Sequence, residues 1–186
     1  MTLIDTLTQR NADFAAQEFT PSASLAPTLR TLVIGCVDPR IDPAHLLSLE
    51  LGEAAVIRNV GGRVDPATRR NLALLATLGK ALARAGGGDA PAPLHIVVLH
   101  HTDCGITRLV GETDMLAAFV GIGTAELAAK AIADPWQAVA VDVAALKVDP
   151  ALPGAWTVSG LVYDVTTGLI TVVVPPAPLR DAGRAA

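Results

Sequence analysis

Aromatic side chains are almost missing from this 186-residue chain: three Phe, two Trp and one Tyr make up 3% of it. A core must then be assembled from Ala, Val, Leu and Ile, and a pocket walled by such groups suits a small ligand better than a ring. Charge is also sparse, at 17% of residues with a net charge of -4 and a pI near 5.5. Arg58, Arg63, Arg69 and Arg70 form the only local basic concentration, which argues against a nucleic-acid or membrane-surface partner and leaves these arginines as solvated or interface charges. No apolar run reaches the roughly 18 residues that a bilayer span needs. The first ten residues, Met1 to Arg10, have neither the basic start nor the apolar stretch of a signal peptide, so the protein is expected in the cytoplasm. With only two cysteines there is no disulfide framework, and in a reducing compartment such thiols more often bind metal or do chemistry.

The length suits one domain, 1–186, with an N-terminal arm (1–30), a core (31–174) and a tail (175–186) that is mobile or lies over a partner subunit. Residues 2–19 read as an amphipathic helix, followed by a loop over 21–27. Strands are expected over 31–36, 54–59 and 94–99, and the last is so continuously apolar that it belongs at the centre of a parallel sheet, buried on both faces. Between them, Asp42-Pro43 and Asp65-Pro66 are helix starts, an Asp cap followed by Pro at the first helical position. The first helix should pass Leu46, Leu47 and Leu49 and stop at Gly52. The second should present Leu75, Leu78 and Leu82 on one face and stop at Gly86-Gly87-Gly88. Helical regions follow over 113–133 and 135–146, and a hairpin over 158–165 and 169–174, joined at Thr166-Thr167-Gly168. There is no internal repeat. This order predicts an α/β fold: a central, mainly parallel sheet flanked by helices, with ligands beyond the carboxyl ends of the strands.

Both cysteines sit at such ends. Cys36-Val37-Asp38-Pro39-Arg40 closes the first strand and His101-Thr102-Asp103-Cys104-Gly105 follows the central one. In an extended segment Cys36, Asp38 and Arg40 share a face, and Pro39 keeps the residue before it out of the helical region. A turn brings His101 and Cys104 onto a common ion. Cys36, His101 and Cys104 are then three zinc ligands with one place open, the pattern of a catalytic site. Two thiolates neutralise the ion and leave its water less acidified, so a helper is useful: Asp38, paired with Arg40, stays ionised, oriented and off the metal.

These residues carry a family resemblance. Cys36-x-Asp38-x-Arg40 followed by His101-x-x-Cys104 resembles the β-class carbonic anhydrases, as do Arg58-Asn59-Val60-Gly61-Gly62 and the stretch from Gly160 to Asp164 with Gly168. The His100-His101-Thr102-Asp103-Cys104-Gly105 segment is similar to the short bacterial members. The resemblance spans 31–174. It implies one Zn2+ per chain on Cys36, His101 and Cys104, a catalytic dyad of Asp38 and Arg40, and Val60 and Gly105 near the carbon dioxide pocket. It also implies reversible hydration of carbon dioxide, and a homodimer or higher homo-oligomer with the site near the subunit boundary and the N-terminal helix over the partner. Ala55 stands where plant-type members place an aromatic.

Other readings use the same residues. The same scaffold can hydrolyse carbonyl sulfide or carbon disulfide. A non-catalytic, bicarbonate-binding protein would close the metal's fourth place with Asp38, although a purely structural ligand needs no Arg40. A dithiol redox protein lacks its Cys-x-x-Cys. His100 competes with His101 as ligand but falls on the opposite face of an alternating strand. His45 and His95 read as solvated or structural, and Asp103 as a turn residue. Gly61-Gly62 lacks the lysine and spacing of a phosphate loop.

Overall fold

In a computed structural model, which describes residues 1–21, 25–88 and 92–180, five strands form one sheet. They are β1 (Thr31–Cys36), β2 (Ala54–Asn59), β3 (His95–His101), β4 (Thr157–Tyr163) and β5 (Ile170–Pro178), in the spatial order β2-β1-β3-β4-β5. The first four run parallel and β5 returns antiparallel to β4. β3 lies at the centre, and Ile96, Val98 and Leu99 on it are fully buried, as its unbroken apolar run requires.

Among the described residues five α-helices connect or flank the strands: α1 (Leu3–Gln17), α2 (Pro43–Leu46), α3 (Pro66–Ala85), α4 (Thr113–Val120) and α5 (Pro135–Lys147). The Asp-Pro starts are real. Asp42, Asp65 and Asp134 each cap a helix by accepting backbone N–H groups, with Pro in the first turn. α1 opens with a reciprocal box in which the Thr2 side chain accepts from Asp5 N and Asp5 accepts from Thr2 N. None of its residues is buried within this chain. No helix among the described residues is long and apolar enough to cross a membrane.

Several expectations need correction. α2 ends at Leu46 and does not reach Gly52: Ser48 takes a left-handed φ of 50°, and Leu49 N donates back to Ala44 O at 2.8 Å, so the chain reverses after one turn. α3 buries Thr68, Leu72 and Ala76, while Leu78 and Leu82 are exposed and only Leu75 packs against the core. Its phase is set at the start, where Asn59 Nδ2 donates to Thr68 Oγ1 at 2.9 Å and turns that side chain inward. The expected helix over 113–133 is two pieces. Gly121 ends α4 at φ 73°, where a Cβ would lie 2.4 Å from Pro66 Cγ, and a 3-10 helix, Thr124–Lys130, follows. β5 continues past Val174 to Pro178, and Leu179 beyond it is buried, so 175–180 belong to the packed fold. Residues 22–24 of the loop expected over 21–27, and 181–186 of the tail, lie outside the described residues.

Arg63 is the largest correction. Expected as a solvated or interface charge, it is 2% exposed and forks onto Asp142 of α5, with Nε to Oδ2 at 2.8 Å and Nη2 to Oδ1 at 3.1 Å. Val64 N donates to the same carboxylate, Arg63 Nη2 reaches Lys130 O, and His100 Nε2 lies 3.2 Å from Asp142 Oδ2. Arg69 is also paired, with Asp149 at 2.7 Å. Burial works against ionisation of Asp142, but His100 and Arg63 outweigh it and hold the carboxyl below its ordinary range. The stability that this shift adds is therefore present above the ordinary carboxyl value and is lost as pH falls below it.

Truncating Asp142 leaves a guanidinium buried without its counter-charge. Asp142→Ala should cost about 3–5 kcal/mol in urea denaturation at neutral pH. A loss under about 1 kcal/mol, the scale of an exposed pair, would show that Arg63 does not depend on it.

Candidate metal centre

Cys36 is the last residue of β1 and His101 the last of β3, and the two strands are parallel neighbours, so both side chains emerge at one edge of the sheet. Cys104 follows at the start of a 3-10 helix, Gly105–Leu109. The ligand atoms of Cys36, His101 and Cys104 all lie within 4.8 Å of one another, all three residues are buried, and the sulfurs are 3.7 Å apart. His101 Nδ1–H donates to Thr102 O at 2.8 Å, which leaves Nε2 as the free lone pair. That Nε2 is buried with no hydrogen-bond partner, so a cation placed among the three groups would satisfy it. His100 points the other way, toward Asp142, as strand alternation requires.

The backbone comes close behind Cys36. Gly62, at φ 65°, sits where a Cβ would lie 3.0 Å from Cys36 N, so the turn Val60–Gly62 serves packing at the ligand. The two thiols share a proton. Cys36 is held down to about 4, chiefly by the hydrogen bond from Cys104; Cys104 is pushed well up by that same bond and by burial.

Asp38 and Arg40 lie beyond the strand in a turn closed by Ile41 N donating to Asp38 O at 2.9 Å, so the expected extended run through Arg40 does not occur. Three bonds hold the bend. Arg40 N donates to Asp38 Oδ1, and Arg58, level with Gly35 on the adjacent β2, donates from Nε to Cys36 O and from Nη2 to Asp38 O, each at 2.8 Å. The side chains still meet: Arg40 Nε to Asp38 Oδ1 is 3.0 Å and Nη2 to Oδ2 is 2.8 Å. This fork holds the Asp38 carboxyl down to about 2. Asp38 N in turn approaches Cys36 Sγ at 3.4 Å.

Two contributors escaped the sequence reading. Arg58 was expected as a solvated or interface charge, and only the β1–β2 register shows that it reaches the Cys36–Asp38 backbone. Asp103 does sit in a turn, at φ 50°, but its carboxylate also accepts from Arg40 at 3.0 Å and from Arg108 at 3.1 Å. Its place between two ligands was the available signal. Val60 and Gly105 are exposed and adjoin the ligand-bearing turns. A small pocket against His101 and Cys104 is lined by Gly61, Ile106, Ile132, Pro135 and Ala138 together with the polar Arg63, His100 and Thr107, so it is less purely aliphatic than the composition suggests. Ala55 packs against the core. His95 bonds to Ser159 at 2.9 Å and His45 is exposed, consistent with structural and solvated roles.

The family model for carbonic anhydrase matches residues 31–129, more than half of the chain and all three candidate ligands. The chain belongs to the β-carbonic anhydrase family. Beta-carbonic anhydrase 1 of Mycobacterium tuberculosis (strain ATCC 25618 / H37Rv) is 27% identical over 176 residues, covering 94% of this chain and 100% of the relative. Among solved structures, carbonic anhydrase from Streptococcus mutans is similar at 31% identity and a TM-score of 0.67, over 93% of this chain and 98% of that one. A carbon disulfide hydrolase in its apo form shares the fold, at 23% identity and a TM-score of 0.56, over 90% of this chain and 88% of that one.

A β-carbonic anhydrase centre with these thiols should take up its metal with release of at least one proton at neutral pH, because the hydrogen bond between the two sulfurs needs a proton that a pair of metal-bound thiolates does not keep. Apparent affinity should then rise at least about tenfold per pH unit near neutrality. Calorimetric titration in buffers of different ionisation enthalpy counts the protons, and a count of zero would contradict the shared-proton arrangement. Metal analysis should find His101→Ala empty and His100→Ala loaded; full occupancy in His101→Ala would overturn the ligand set.

Proposed function

We propose that this chain is a zinc enzyme that hydrates carbon dioxide reversibly to bicarbonate and a proton. The observation that carries the reading is the buried Cys36, His101 and Cys104 cluster with an intact Asp38–Arg40 fork beside it. Two thiolates and one imidazole suit zinc, and three protein ligands leave the fourth place open. Zinc held there supplies a Lewis acid that makes water a nucleophile near neutral pH.

The residues do the rest. Asp38, ionised at all ordinary pH values, accepts a hydrogen bond from the attacking water and fixes its direction. Arg40 occupies both Asp38 oxygens and so keeps the carboxylate from closing the fourth place itself. Val60 and Gly105 offer carbon dioxide an apolar surface; Val60 is 44% exposed, and at Gly105 the space that a Cβ would fill is open. Hydration of carbon dioxide needs no larger pocket. The two free thiols suit the reducing cytoplasm.

The reading also includes at least a homodimer. α1 exposes Leu3, Ile4, Leu7 and Phe14, and α3 exposes Leu74, Leu78 and Leu82, more apolar side chain than a solitary small protein leaves in water. Light scattering should give at least twice 19.1 kDa. A fully active species of 19.1 kDa would remove this part of the reading.

Stopped-flow measurement with carbon dioxide, carbonyl sulfide and carbon disulfide on the zinc-loaded protein tests the substrate. Carbon dioxide should be turned over fastest, and preferential turnover of either sulfur compound would replace it. Arg40→Ala should lower hydration at least about 100-fold with normal metal content, the usual scale for a lost proton-handling group. Near-unchanged rates would end the proposed role of the dyad.

A further inference from the structure

We propose that Asp103 is a positioning residue for this reaction, holding the outer side of the Arg40 guanidinium so that its inner side stays locked on Asp38. The inference rests on the carbon dioxide hydration reading only for its rate consequence; the clamp itself stands on geometry.

Arg40 has five N–H donors in a planar fork. Nε and Nη2 take the two oxygens of Asp38, Nη1 donates to Asp103 Oδ2 at 3.0 Å, and Nη2 also donates to Asp103 O at 3.0 Å. The guanidinium is thus gripped from opposite sides by two turns, one following Cys36 and the other lying between His101 and Cys104. Such a grip is needed. The Arg40 side chain is 48% exposed, and an exposed arginine on a single carboxylate is held weakly, because solvent screens the pair and ordering the long side chain costs entropy. A second anchor tightens that hold.

Asp103 is made for this and not for its own turn. Asp at φ 50° is tolerated because a short polar side chain fits the left-handed region, and a turn-forming Asp ordinarily accepts an N–H from its own loop. Here the hydrogen bonds found for Asp103 side-chain oxygens come from Arg40 and from Arg108 Nη2, at 3.1 Å to Oδ1. Arg108 occupies the oxygen that Arg40 leaves free, so the carboxylate cannot rotate away without losing both. Two carboxylates and two guanidiniums alternate from solvent inward, Arg108, Asp103, Arg40, Asp38, and the last of these is only 12% exposed.

Asp103→Asn tests the clamp, because Asn keeps the side-chain shape and tolerates the same backbone angle while losing the charge. In the zinc-loaded protein kcat should fall about tenfold, equivalent to about 1.4 kcal/mol, with KM within about twofold and with metal content and melting temperature unchanged. The second measurement does not depend on activity: the 15N resonances of the Arg40 Nη groups, assigned by their loss in Arg40→Lys, should be distinct in the unmodified protein and should merge in Asp103→Asn as the guanidinium begins to rotate. Arg40 signals that stay distinct in Asp103→Asn overturn the proposal whatever happens to kcat, and so does a rise in KM at constant kcat. If the unmodified protein fails to hydrate carbon dioxide while the Arg40 signals merge in the variant, the clamp is upheld and the functional reading is what has failed.

Discussion

Because β1 and β3 are hydrogen-bonded neighbours running in the same direction, with Ile34 level with Val98, their carboxyl ends emerge side by side at one edge of the sheet. Antiparallel strands would put a cysteine at one end and a histidine at the other, a strand's length apart. The parallel register brings Cys36 and His101 together before any metal is present, and one short turn then supplies Cys104. Burial on both sides of β3 fixes that register, since a slip of one residue would send His101 toward Asp142 and His100 toward the thiols. The site inherits its geometry from the core.

Charge arranges what the strands deliver. An ion neutralised by two thiolates polarises water less than one held by imidazoles alone, so orientation by a nearby base carries more of the chemistry. Asp38, proposed for that part, is kept ionised by Arg40, and the turn that carries it is bent by Arg58 through the carbonyls of Cys36 and Asp38. Arginine suits both tasks because its planar fork bonds two acceptors at once, which a lysine ammonium cannot do with the same direction. Arg40, Arg58 and Arg63 of this acidic chain serve the protein's own carbonyls and carboxylates.

Much of this was legible in the sequence, and the failures share a cause. The Cys36, His101 and Cys104 cluster, the Asp38–Arg40 pair, the five strands and the Asp-Pro helix starts could be read because each is marked by short local motifs, two of which the sheet then brings together. The choice of His101 over His100 followed from strand alternation alone. Arg58, Arg63 and Asp103 were misjudged because their partners are 20 to 79 residues distant, and no local pattern marks which arginine will be buried. Which face of α3 turns to the core was not legible for a similar reason. Leu75, Leu78 and Leu82 make a good helical stripe, but Asn59 fixes the rotation by bonding to Thr68, and the exposed leucines then face away from this chain's own core.

Adjacent histidines on β3 show how the pleat separates two kinds of chemistry. His100 faces α5, where Arg63 and Asp142 form a buried pair with hydrogen bonds from Val64 N and to Lys130 O; this pair ties the turn after β2 to α5 beneath the sheet. His101 faces the opposite side, where the acceptor is left free for an ion. A buried carboxylate on the other face of β3 could compete for a cation, but both Asp142 oxygens are engaged: one accepts from Arg63 and Val64 and lies against His100, and the other accepts from Arg63. Its charge is satisfied where it stands. Asp38, by contrast, is engaged only from the side that Arg40 and its own turn occupy, so its freedom to act depends on how firmly that arginine is held. The fold therefore saturates the buried carboxylate at Asp142 and restrains Asp38, the proposed partner of the reacting water, by a single guanidinium.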